Sequence, residues 1–115
     1  MNRELTTDER DLVTAMLQHG AICDGKTATV ADRERWCSQI PRLRVIGTCG
    51  CGLCPTINFT EDYEPATRLY VEAYDPTQNA GIILFIDDDL PSCLEVYPED
   101  DQKVVLPKVE DVDFT

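Results

Sequence analysis

Apolar residues recur at helical spacing early in the chain and at alternating spacing later, with the change of period near Pro41. Thr6-Thr-Asp-Glu9 has the form of a capping box, in which Thr6 caps the helix and Glu9 reaches back to the cap amide. Leu12, Val13, Met16 and Leu17 follow on one face, and Gly20 predicts a left-handed C-terminal stop. A second helix is predicted from about Thr29 to Gln39, with Val30, Trp36 and Ile40 available for burial. Pro41 ends it, because the residue before a proline avoids the helical region.

Beyond Pro41 the pattern is that of strands. Leu43, Val45 and Ile46 lead into Cys49, and Thr56 to Thr60 alternates, with Ile57 and Phe59 on one face. The segment Cys49-Gly-Cys-Gly-Leu-Cys54-Pro55 therefore reads as the tip of a long hairpin. Thr67 to Tyr74 places Leu69, Val71 and Ala73 on one face and Tyr70, Glu72 and Tyr74 on the other. After a turn from Asp75 to Gly81, the run Ile82 to Ile86 is apolar throughout, as in a central strand covered on both sides. Asp87-Asp-Asp-Leu-Pro91 turns the chain again into Cys93 to Tyr97, with Leu94 and Val96 inward.

The fold class these elements predict is α+β, with two N-terminal helices packed on a four- to five-stranded antiparallel meander sheet. A single domain over residues 1–115 is expected, with a helical part at 1–41, the sheet at 42–106 and an acidic tail at 107–115. One short strand is expected at Val104 to Leu106, followed by a loose end.

Charge sharpens this picture. Met1 to Ile57 holds seven Lys/Arg against seven Asp/Glu, whereas Asn58 to Thr115 holds three against fifteen, which is the whole net charge of −12. Self-repulsion of this kind gives a fold no stability, so it points to solubility or to a cationic partner. It argues against direct nucleic-acid binding, where phosphates need Lys and Arg, and against an anionic membrane surface. The longest apolar run is too short to cross a bilayer, and the polar start lacks the apolar stretch of a secretory signal. A cytoplasmic protein with reduced thiols is the expectation.

The six cysteines are Cys23, Cys37, Cys49, Cys51, Cys54 and Cys93. A zinc site needs four donors, of which Cys49, Cys51 and Cys54 supply three from one loop, with Gly50 and Gly52 letting the backbone curl. Cys93, Cys37, Cys23 or His19 would have to supply the fourth. A dithiol redox reading of Cys51 and Cys54 lacks the following helix that lowers a thiol pKa. The plainer alternative is a tight turn of small residues in which Cys acts as a small hydrophobe. His19 sits where a cation suits a helix C-terminus. Asp87, Asp88 and Asp89 lack the alternating spacing of a calcium loop and read as a solvated hairpin tip. Tyr70, Glu72 and Tyr74, with Glu95 and Tyr97, form either an interface face or an ordinary solvated sheet surface.

The stretch Val45-Ile-Gly-Thr-Cys-Gly-Cys-Gly-Leu-Cys-Pro-Thr-Ile57, with Ile82 to Ile86 and Leu94-Glu-Val-Tyr97, resembles a set of small uncharacterised actinobacterial proteins. These share a Cys-x-Cys-Gly-Cys-[Pro/Ala]-[Thr/Ser] hairpin and a late Leu-Glu-x-Tyr strand. The resemblance covers roughly residues 43–97 and departs at Leu53, which moves Cys54 one place along the loop. It bears on the fold and carries no activity.

The leading functional expectation is a non-enzymatic acidic protein that neutralises or regulates a basic protein partner, as an antitoxin or immunity protein does. Tyr70, Glu72, Tyr74, Glu95 and Tyr97 would make the contact, with Asp87 to Asp89 as steering charges. The alternative is a small zinc-binding structural domain centred on Cys49 to Cys54, with Cys93 as a candidate ligand. A cysteine nucleophile is a third expectation and needs an exposed thiol of low pKa.

Overall fold

The computed structural model describes residues 1–52 and 54–114, so Leu53 of the cysteine loop and Thr115 of the tail lie outside the described residues. Among the described residues two α-helices, α1 (Thr7–His19) and α2 (Val30–Cys37), precede most of the strands. The strands are β1 (Arg3–Glu4), β2 (Ala21–Ile22), β3 (Arg44–Val45), β4 (Gly47–Thr48), β5 (Ile57–Asn58), β6 (Arg68–Asp75), β7 (Ala80–Asp87) and β8 (Leu90–Pro98). Six of them form one antiparallel sheet in the order β2-β6-β7-β8-β5-β4, and β1 with β3 makes a separate pair. The α+β class is as expected, and β6-β7-β8 is the expected meander. The expected count of four to five strands is short because β1 to β5 have two residues each, too few to display alternation.

Helix α1 begins as its sequence implies. Glu9 N donates to Thr6 Oγ1 (3.1 Å) and Thr6 N donates to Glu9 Oε1 (2.8 Å). Arg3 adds two hydrogen bonds to the same carboxylate, at 2.8 and 2.9 Å. The Arg3 contact is the main reason the Glu9 carboxyl is held below its usual range, against the opposing effect of burial. The C-terminal end corrects the expectation for Gly20, whose backbone is extended (φ −62°, ψ 152°) and not left-handed. Glycine is needed there for closeness, because a Cβ would collide with Val71 Cγ1 and with the Met16 carbonyl oxygen, which the Gly20 amide itself binds.

A second capping box, Thr29 with Asp32, starts α2. Trp36 and Ile40 are buried as expected, but Val30, the first residue of the helix, is 74% exposed. The helix stops at Cys37, and Pro41 lies within a short 3-10 turn at Ile40–Arg42.

One hydrophobic cluster joins these elements. Leu12, Val13, Met16, Leu17 and Trp36 pack with Val71, Ile82, Leu84, Leu94 and Val96, all buried, on one side of the sheet. Burying a large aliphatic side chain contributes about 1.5–3 kcal/mol each, which fixes which sheet face the helices take. The tail is docked, not loose: Val104 is buried, Leu106, Val112 and Phe114 pack against the core, and the Phe114 ring meets His19 edge-on at 5.9 Å. Val104 to Leu106 makes no strand. Instead the Gln78 side-chain amide accepts from Val105 N (2.8 Å) and donates to Val105 O (3.0 Å). Asp113 pairs with Tyr74 along the same edge of β6 that β2 covers at Val71 and Glu72, so that edge is closed.

Candidate functional site

The sheet face away from the helices follows directly from strand alternation. In register across it lie Tyr74, Gly81 and Tyr97; then Glu72, Ile83 and Glu95; then Tyr70, Phe85, Cys93 and Asn58. Tyr70, Glu72, Tyr74, Glu95 and Tyr97, singled out from sequence, are thus neighbours on one surface. Glu72 and Tyr74 are exposed and Tyr70, Ile83, Phe85, Cys93, Glu95 and Tyr97 half-buried, so no helix lies on them. The Tyr70 and Phe85 rings pack edge-to-face at 5.3 Å, and the Tyr97 ring fills the space above Gly81.

Arg68 extends this face by one row, opposite Asp87. Its guanidinium sits 5.1 Å from the Phe85 ring centroid and binds Asp87 through Nε (2.6 Å) and a terminal nitrogen (2.9 Å). The Ser92 hydroxyl donates to Asp87 Oδ2 (2.7 Å), the oxygen that also takes the terminal guanidinium nitrogen. These bonds, Arg68 first, hold the Asp87 carboxyl low despite burial.

The aspartate triplet forms the expected hairpin tip with Asp88 and Asp89 exposed, while Asp87 is buried. Asp88 and Asp89 are the two central residues of a tight β7–β8 hairpin, with φ of 50° and 70°. Asp88 accepts from Thr67 N (2.9 Å) and from the Tyr63 hydroxyl (3.2 Å). Asp89 accepts two bonds from Arg35 (2.7 and 2.9 Å) and one from the Trp36 indole (2.7 Å). Asp87 is buried and paired with Arg68, so it is no free steering charge, whereas Asp89 is exposed and shares Arg35 with Asp32, which leaves that group net negative. The turn itself is where the sequence placed it.

Beside Arg68 the loop after β5 encloses a groove of about 360 Å³, bordered by Glu61, Asp62, Tyr63, Phe85 and Cys93. Sequence reasoning missed this groove, because it forms where the loop crosses the end of the sheet and no local pattern marks it. Three titratable groups on the face register its carboxylates. Burial and then Glu99, Glu72 and Glu95 raise the Tyr97 phenol. Burial, then Glu72, push the Cys23 thiol up to about 12, and burial, then Glu95 and Asp87, do the same for Cys93.

The cysteine loop is a second candidate, at the tip of the β4–β5 hairpin as expected. The sulfurs of Cys49, Cys51 and Cys54 all lie within 4.8 Å of one another, with Cys51 and Cys54 at 3.3 Å. Cys49 and Cys51 are exposed and Cys54 half-buried. Cys93, on the open sheet face, is not in this group, and neither are Cys23, Cys37 or His19. Gly52 takes φ +75°, which glycine adopts without penalty. The loop is held at both ends: Cys49 N donates to Thr56 O (3.2 Å), and Cys54 Sγ lies 3.4 Å from Thr56 Oγ1.

Four thiols are poorly suited to nucleophilic work. Cys23, Cys93 and, by burial, Cys37 are raised above the ordinary thiol value. The Cys51 backbone amide favours the Cys49 thiolate, but the neighbouring sulfurs of Cys51 and Cys54 together with desolvation outweigh it and raise that thiol too. No family model, no curated protein and no solved structure matches the chain.

Proposed function

We propose that the chain is a non-enzymatic binding protein whose open sheet face takes a basic protein partner, in the manner of an antitoxin or immunity protein. One observation carries the reading: Tyr70, Tyr74 and Tyr97 surround Glu72 and Glu95 on a face whose one arginine, Arg68, is engaged by Asp87. Tyrosines offer large rigid contact area with a polar tip, and carboxylates among them take Arg or Lys with charge-assisted hydrogen bonds. Uncompensated negative charge also speeds the encounter with a cationic surface and rejects anionic ones. Glu61 and Asp62 beside the groove suit an entering arginine side chain, with Phe85 as the apolar wall.

The test is capture from native extract on immobilised protein, at low and at high salt, beside the double variant Glu72→Lys/Glu95→Lys. The expected result is a basic protein held by the parent at low salt, released by salt and not held by the variant. It should then rebind when purified. Absence of any such protein, or equal capture by the double variant, overturns the reading.

A further inference from the structure

We propose that Cys49, Cys51 and Cys54 form a three-thiolate site for one zinc ion at the tip of the β4–β5 hairpin, with the fourth coordination position left to solvent or to a donor from outside the chain. The site is independent of the sheet face.

The geometry is specific to this chemistry. Zinc bound tetrahedrally to thiolates at about 2.3 Å requires sulfurs about 3.8 Å apart. The three sulfurs lie within 4.8 Å of one another, with Cys51 and Cys54 at 3.3 Å, so small side-chain rotations bring them to that spacing. The donors are all soft, with no carboxylate in the group, which excludes calcium and magnesium and favours zinc or copper(I). Part of the loop backbone is arranged before any ion arrives: the Cys49 amide donates to Thr56 O, and Gly52 holds a left-handed conformation.

The charge is also accommodated. Three thiolates around Zn²⁺ carry a net charge of −1, and Arg3 and Lys103 line the groove of about 440 Å³ that Cys49 and Cys54 border. Arg3 is already bonded to Glu9, which leaves Lys103 as the other cation along that groove. Zinc is preferred to copper(I) because the exposed fourth position suits a tetrahedral ion that retains a water. Binding releases the thiol protons, because the ligands must be deprotonated.

The experiment uses the whole chain, reduced and freed of metal, titrated with Co²⁺ as a spectroscopic stand-in and then with Zn²⁺. The expected result is one Co²⁺ per chain, a thiolate-to-cobalt charge-transfer band of three-sulfur intensity, and its full displacement by one Zn²⁺. Cys49→Ser, Cys51→Ser and Cys54→Ser each weaken that band, while Cys93→Ser and Cys23→Ser leave it intact. In the parent protein, zinc should also protect Cys49, Cys51 and Cys54 from alkylation, which needs no variant to fold. No band, a band lost on Cys93→Ser, or no protection overturns the site. Copper in place of zinc in protein purified without chelator overturns the assignment to zinc.

Discussion

The Thr56 hydroxyl makes both hydrogen bonds that a strand neighbour would offer Val96, accepting from its N–H at 3.0 Å and donating to its C=O at 3.2 Å. β5 pairs with β8 only at Ile57 and Asn58, so this side chain continues the ladder by one residue towards the cysteine loop. Thr56 and Val96 are both buried, and water cannot replace the bonds. Thr56→Val keeps the shape and leaves the Val96 amide unsatisfied, a loss of about 1–3 kcal/mol. Thr56→Ser should lose far less. Urea melts of the two variants separate the cases, and equal midpoints would refute the role of the hydroxyl.

Gly20 gives a second measure of how closely α1 docks on β6. A methyl group there meets Val71 Cγ1, which can move a little, and the Met16 carbonyl oxygen, which cannot. Gly20→Ala is expected to destabilise by about 1–3 kcal/mol, as overpacking does, although glycine at an extended position ordinarily gains stability from such a change. Thermal denaturation reads the sign directly. A raised Tm would show that the helix end has room to relax.

The meander and α1 were legible because long elements repeat their signal. Leu69, Val71 and Ala73 alternate, and Thr6 and Glu9 announce a helix start by chemistry alone. What was not legible depends on partners far along the chain. Arg35 and Asp89 are 54 residues apart, and nothing near Asp89 reveals that it is bridged to an arginine. The same holds for Gln78 with Val105 and Asp113 with Tyr74, which dock a tail whose composition reads as solvated. At the candidate sites, spacing placed the tyrosines and glutamates on one face. For the cysteines it gave the donor types, but only the folded hairpin sets the sulfur distances and separates Cys93 from the loop.

Asp87 and Arg68 predict how the fold responds to acid. The Asp87 carboxyl is held below its unfolded value of about 3.9, first by Arg68 and then by Ser92. A depressed pKa means that the unfolded chain binds more protons, so the stabilisation is complete above the unfolded pKa and is lost as pH falls through the folded one. Asp75 and Glu9 act in the same direction. Stability should therefore decline from about pH 5 downwards, and more gently in Asp87→Asn, which has no such proton to gain. Arg68→Ala leaves a buried carboxylate without its cation. Because the guanidinium is partly exposed, the expected loss near neutral pH is about 2–3 kcal/mol, below that of a fully buried pair. Parallel acid titrations of the parent and Asp87→Asn would contradict this account.

The thiols of the sheet face offer a probe of its negative potential that requires no partner. Cys23 and Cys93 are pushed up to about 12, by burial first and then by Glu72 and by Glu95 with Asp87 respectively. Only the thiolate attacks an alkylating reagent, so at pH 8 about one molecule in ten thousand is reactive at each position. Iodoacetamide modification, followed residue by residue with mass spectrometry, should be slow at both and rise about tenfold per pH unit up to pH 11. The carboxylates contribute separately from burial, so Glu72→Gln should speed Cys23 at fixed pH and leave Cys93 nearly unchanged, with Glu95→Gln doing the reverse. Rates insensitive to both glutamates would remove the electrostatic basis for a cationic partner on this face.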